Sequence, residues 1–234
     1  PLFAQAVVLS VQLFRQHQSF HLSKEGVFAR SHAAPSAHPR DKPLRERWAL
    51  IKDDLKDLEI FGENMYAIHS IAYRKLESFF YVFAIREGED WLSWEEVKFY
   101  AGMLDFPTVP EIEIRHPLAD IYQVNGDEDR ILAQWLEMNL GQSWEAYVAG
   151  PGQLEGYDPA SDAACCEGFV IRNQGSYRQE PGRLPVAENE FADLFKLVRQ
   201  AHIKTDVHWT KNWKPTSLID YQKYKWYGYE YLSK

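Results

Sequence analysis

Between residues 42 and 58 (KPLRERWALIKDDLKDL) the apolar positions Leu44, Trp48, Ile51 and Leu55 recur at helical spacing among charged neighbours, which predicts a helix. A second helix is predicted to start at Ser93. Ser-Trp-Glu-Glu forms a capping box, in which the Ser93 hydroxyl accepts from the third helical amide and Glu96 reaches back, and the helix ends near Leu104. A third runs from about Glu128 to Met138, with Ile131, Leu132, Trp135 and Leu136 on one face. Short aromatic or β-branched runs at Val27 to Ser31, Met65 to Tyr73, Phe79 to Ile85 and Gly168 to Arg172 read as strands. Gly and Pro punctuate 149–160 and 175–185, which read as loops. Helices and strands alternate without a regular βαβ rhythm, so the expected class is α+β with mainly antiparallel sheet.

At 234 residues and 45% hydrophobic content, the chain suits one compact domain over 1–234. The net charge of −8 argues against polyphosphate partners, but it is unevenly spread. Residues 196–234 carry eight Lys/Arg against Asp206, Asp220 and Glu230, so this segment is +5 and the rest is −13. A basic, aromatic tail over 210–234 is therefore expected to take part in any nucleic-acid contact. Trp209, Trp213, Tyr221, Tyr224, Trp226, Tyr227, Tyr229 and Tyr231 interleave there with Lys211, Lys214, Lys223 and Lys225. That mixture suits stacking on single-stranded bases, and equally suits an amphipathic cover packed on the core. The only cysteines, Cys165 and Cys166, are adjacent, too close for an ordinary disulfide and without metal-ligand spacing. They point to the cytoplasm or another reducing intracellular compartment. The apolar first ten residues lack a basic lead and a cleavage site, so no signal peptide is expected. No apolar run reaches the roughly 18 residues of a membrane span, and no membrane partner is expected.

No phosphate-cradling glycine loop, zinc spacing or serine-nucleophile elbow occurs. What remains is a scattered set: Arg30 with Ser31 and His32 (FARSH), Glu63 (FGEN), Phe83 (FYVFAI), Glu167 (CEGFVIRN), and Lys196 with Arg199 (FKLVR). Each alone has a bland explanation as a turn acid or a solvated face. Glu63 and Glu167, however, both sit against glycines at strand edges, where a carboxylate can be held beside a ligand that the backbone approaches closely. His69, His202 and His208 are metal-ligand or proton-carrier candidates for which structural roles are the default.

The segments GVFARSH…HP, FGENMYAIHSIAY, FYVFAIRE…WLSWEEV…LDFPTVP, EGFVIRN and KLVRQAHIKTDVHW resemble, in order and spacing, the phage- and bacterial-type RNA ligases, over roughly Ser23 to Trp209. That resemblance implies a nucleotidyltransferase (ATP-grasp-like) domain of mainly antiparallel sheets flanked by helices. It implies ATP and Mg2+ as cofactors and RNA ends as partners; a larger assembly is the partner expected of a non-catalytic binding subunit. It also implies three steps: formation of a lysyl-AMP, transfer of AMP to an RNA 5′-phosphate, and attack of a 3′-hydroxyl. By the same resemblance Glu63 is the acid that grips the ribose, Phe83 the aromatic that stacks on adenine, and Glu167 the acid that engages metal and phosphate. Lys196 and Arg199 resemble the cations on the α-phosphate, and Arg30 the arginine that touches AMP or the RNA phosphate. Phosphoryl transfer spreads negative charge over oxygens, so cations and a metal beside positioned carboxylates suit it.

The sequence departs from the family at its first motif. Glu-Lys-x-Asp-Gly should lie about ten residues upstream of KEGVFARSH, where this chain reads VQLFRQHQ, and no lysine precedes Lys24. Lys24 falls at the family's hairpin-turn position, and Arg15 stays protonated and cannot act as a nucleophile. Three readings stay open. The chain is a degenerate ligase that binds nucleotide or RNA ends; or residues 1–18 come from a shifted reading frame or misassigned gene start; or only the sealing of pre-adenylated RNA is retained.

Overall fold

The computed structural model describes residues 6–11, 19–29, 34–68, 71–117, 128–178, 194–198 and 214–219. The larger sheet has six antiparallel strands. They are β2 (Ser19–Ser23), β3 (Gly26–Ala29), β4 (Leu58–Asn64), β7 (Phe80–Glu87), β8 (Asp90–Trp91) and β12 (Tyr177–Arg178), in the order β12-β8-β7-β4-β2-β3. Its strands bury Phe20, Leu22, Val27, Ile60, Phe80, Val82 and Ile85 in one core with two helices, α1 (Lys42–Leu55) and α2 (Trp94–Met103). Leu44, Ile51 and Leu55 of α1 enter that core as their spacing predicts, and the Trp48 indole donates to the Ser23 carbonyl at 2.7 Å. Helix α1 ends at Lys56, in the left-handed region at φ 52°. The capping box of α2 forms as the sequence predicts: the Glu96 amide donates to the Ser93 hydroxyl, and the Glu96 carboxylate accepts from the Ser93 amide at 2.9 Å.

The second sheet has four antiparallel strands, β1 (Ala6–Val11), β9 (Glu111–Ile112), β11 (Gly168–Asn173) and β13 (Leu194–Val198), in the order β13-β11-β1-β9. Alternation along β11 separates its faces. Phe169 and Ile171 pack with Trp135 and Leu136 of α3 (Glu128–Leu140) and with Val148 of α4 (Trp144–Val148), while Val170 belongs to the core of the larger sheet. Each sheet thus has its own pair of helices and the two meet through β11, an α+β architecture of antiparallel sheets flanked by helices. Further short ladder strands are β5 (Ala67–Ile68), β6 (Ala72–Tyr73), β10 (Gly156–Tyr157) and β14 (Lys214–Pro215). Strand β10 pairs with β6, and β14 pairs with β5.

Some expectations need correction. Tyr177–Arg178 form β12 within the stretch read as a loop at 175–185. The continuous strand read at Met65 to Tyr73 is instead β4, one segment upstream, followed by β5 and β6 as two short pieces. Gly62 looks like a turn signal, but it is a close-approach glycine inside a central strand: a Cβ there would lie 2.6 Å from the Tyr81 carbonyl oxygen and collide with the Phe80 ring. The strand ends where the Asn64 side chain accepts from the Tyr66 amide at 3.2 Å, an Asx turn. The loop at 149–160 is as expected apart from the two-residue β10, and the five-residue α4 is too short for apolar spacing to signal it. No described helix is long and apolar enough to cross a membrane.

Candidate functional site

Glu63 stands in a central strand, not at a strand edge, with Ser19 of β2 on one side and Tyr81 of β7 on the other. It is 3% exposed, and the Ser19 hydroxyl donates to its Oε1 at 2.7 Å, so the carboxyl group is held inside the molecule by a short hydrogen bond. Behind it, the Asn64 amide donates to Asp41 at 3.2 Å. Asp41, buried in turn, accepts from the Ser36 hydroxyl at 2.5 Å, and Arg45 donates to the carbonyls of Ser36 and His38. The loop that carries the His-Pro of the first quoted segment is thereby locked to the residue beside Glu63.

Glu63 lines a narrow cleft together with Met65, Tyr73, Tyr81, Gly152, Leu154 and Cys166. Burial pushes the Tyr81 phenol above its ordinary pKa, and its oxygen accepts from the Glu77 amide at 2.8 Å, so it faces the cleft as a neutral group. Glu167 is one residue beyond Cys166. The Cys165 amide donates to the Gly156 carbonyl and the Cys166 amide to the Val148 carbonyl, both at 3.0 Å, and β11 begins at the glycine that follows Glu167. Glycines allow this close approach: Gly152 has φ 61°, and a Cβ on Gly156 would strike the Cys165 carbonyl oxygen. Glu167 is buried, and both cysteines are buried thiols just before the strand.

The structure therefore brings Glu63 and Cys166 to one cleft, with Glu167 the next residue along the chain. Lys196 lies in β13 opposite Val170, three residues along β11 from Glu167, and the neighbouring Leu197 packs on the second core. The Lys196 side chain lies outside the described residues, as do Arg30, Ser31, His32, His69, Arg199, His202, His208 and the tail beyond 219. Phe83 is half-buried in β7 against the first core, and its carbonyl accepts from Arg172 at 3.3 Å. Lys24 occupies the exposed β2–β3 turn, where the bond to Asp57 at 2.9 Å raises its pKa, the wrong direction for a nucleophile. Among the described residues no group of three His, Cys, Asp or Glu is placed to hold a metal.

The profile of the RNA ligase family matches residues 10–198. The chain belongs to the RNA ligase family. Solved structures of a Naegleria gruberi RNA ligase are similar to it: a lysine-to-alanine variant with ATP and Mn, a lysine-to-methionine variant with AMP and Mn, and an aspartate-to-alanine variant without ligand. Identities are 17%, 14% and 17%, with 76%, 75% and 76% of this chain covered, each at a TM-score of 0.37. The chain spans about half of those ligases, 49% of each. No curated protein matches the sequence significantly. Sequence reasoning missed Tyr81, which lines the cleft, Ser19, Asn64 and Asp41, which bond to Glu63 or beside it, and the buried Arg172. Ser19, Asp41, Asn64 and Arg172 are buried polar positions, and their partners become readable only once strand pairing is known.

Proposed function

We propose that the chain is an ATP-dependent RNA ligase-type nucleotidyltransferase that uses Mg2+ and joins RNA 5′-phosphate and 3′-hydroxyl ends through an adenylate. The observation that carries this is a pair of buried acids in a chain of the RNA ligase family: Glu63 lines the cleft, and Glu167 follows directly on Cys166, which lines it too. Glu63, fixed by Ser19, would accept from the nucleoside ribose, Phe83 would stack on adenine, and Lys196 with Arg199 and Arg30 would meet phosphate oxygens. The donor set fits magnesium: Mg2+ keeps most of its waters and takes one or two carboxylates plus substrate phosphates, so Glu167 suffices without a three-residue cage among the described residues. When bound, the ion would neutralise charge on the phosphates.

A second reading is favoured by one observation: no lysine precedes Lys24, and Lys24 is tied to Asp57 on an exposed turn. On it, the chain is a non-catalytic subunit of a larger assembly that binds nucleotide or RNA ends, or one that seals only pre-adenylated RNA. Incubation with α-labelled ATP separates the two. An acid-stable protein adenylate supports the ligase, and no label rejects self-adenylation by this chain. Joining of pre-adenylated RNA without label identifies a sealing-only protein. AMP binding that is lost in Glu63→Ala, with no joining, identifies the binding subunit.

A further inference from the structure

Arg172 is 2% exposed, among the largest fully buried side chains of the described residues. It lies on β11, on the face turned to the six-stranded sheet, and its guanidinium reaches carbonyl oxygens in three places. Nε donates to Asn173 at 3.1 Å, Nη1 to Phe83 at 3.3 Å and Nη2 to Leu92 at 2.9 Å. Its carbon lies 5.7 Å from the Trp94 ring centroid and 5.5 Å from that of Tyr177. Two of the three acceptors belong to the other sheet or the turn that follows it.

Phe83 is also the residue at which the β4–β7 ladder slips. Phe61 pairs with Ala84 and Gly62 with Val82, so Phe83 is the extra residue of a bulge. A carbonyl in a buried strand needs a donor, and Arg172 supplies one from the facing sheet. A planar, permanently charged fork can hold Phe83 and Leu92 together, whereas a single-point cation reaches one of them.

We infer that Arg172 is a positioning residue for the nucleotide base: it grips the bulged Phe83 by its main-chain oxygen and thereby fixes where that ring stands relative to β11. This rests on the reading of Phe83 as the aromatic that receives adenine. A bulge changes the direction of the side chains around it, and here its extra residue is tied to the strand that follows Glu167.

The test compares ATP with ribose 5-triphosphate, which lacks the base, by titration calorimetry on the full chain below its melting temperature. Wild type is expected to prefer ATP. Arg172→Met should lose about tenfold in ATP affinity while ribose 5-triphosphate binding is little changed, with Arg172→Lys between. Phe83→Ala should do the same, and the double variant should be no worse than either single one. A wild-type preference for ATP in Arg172→Met, alongside its collapse in Phe83→Ala, overturns the inference and leaves the base-stacking reading standing. So do losses that add in the double variant. An unchanged preference in Phe83→Ala overturns both. If Arg172→Met does not fold, an unaltered preference in Arg172→Lys overturns the inference.

Discussion

At the scale of single residues, the cleft depends on neutral groups beside its carboxylates. Ser19 directs Glu63, and Ser19→Ala would leave the buried carboxylate short of one donor. The expected cost is about 1–3 kcal/mol in urea unfolding, together with weaker AMP binding; unchanged values in both would remove Ser19 from the site. Gly62→Ala is expected to cost about 3 kcal/mol or to prevent folding, because the added Cβ meets a backbone carbonyl and a packed ring, neither of which can yield cheaply. A soluble variant with wild-type melting temperature would contradict the close approach. Glu63 and Glu167 stand out in the sequence as acids beside glycines, and of the two it is Glu63 that lines the cleft. Ser19 is not, because nothing along the chain announces that it lies opposite residue 63. The glycine that helps to single out Glu63 also misleads, since a residue needed for closeness looks like one needed for a turn.

Among the elements, helices are the most legible because their signals are local: α1 follows its apolar spacing and α2 its capping box. Removing the box by Ser93→Ala is expected to cost about 1 kcal/mol at neutral pH. The Ser93 hydroxyl and amide hold the Glu96 carboxyl below its ordinary pKa. That contribution is complete above the unfolded carboxylate range and fades as pH falls through the lower folded value, so the gap between wild type and Ser93→Ala should narrow below about pH 4. Sheets depend on distant pairing. His21 is stacked on Phe28 at 4.8 Å and on Phe61 at 5.5 Å, a row that joins β3, β2 and β4 and that no local pattern reveals. Burial lowers the His21 pKa, with Glu59 opposing and Arg86 assisting. Its neutral form is favoured by folding, so that stability is present above about pH 6.5 and lost as pH falls through the folded value. In His21→Phe, thermal melts between pH 7 and 5 should lose less stability than wild type; parallel curves would rule the titration out.

For the molecule as a whole, charge is the deciding quantity. The body carries −13 and residues 196–234 carry +5, so an RNA strand that reached the cleft would cross a repelling surface unless the basic segment drew it in. The described part of that segment is already docked. Strand β14 pairs with β5, the Thr216 amide donates to Tyr66 and the Ile219 amide to Leu76, both at 2.8 Å, which ties the segment to the stretch that supplies Met65 and Tyr73 to the cleft. Lys214 is exposed on this strap, so a cation stands in solvent on the segment tied to that wall. The two roles read for the tail, cover and RNA contact, separate by salt. Replacing Lys211, Lys214, Lys223 and Lys225 by Glu should weaken single-stranded RNA binding more than tenfold at low salt. It should also flatten the slope of log affinity against log salt by about 0.7 for each phosphate that is no longer neutralised. A cover that only packs would melt at a lower temperature on such charge reversal while the slope stayed fixed, because no counterions would be released at those lysines.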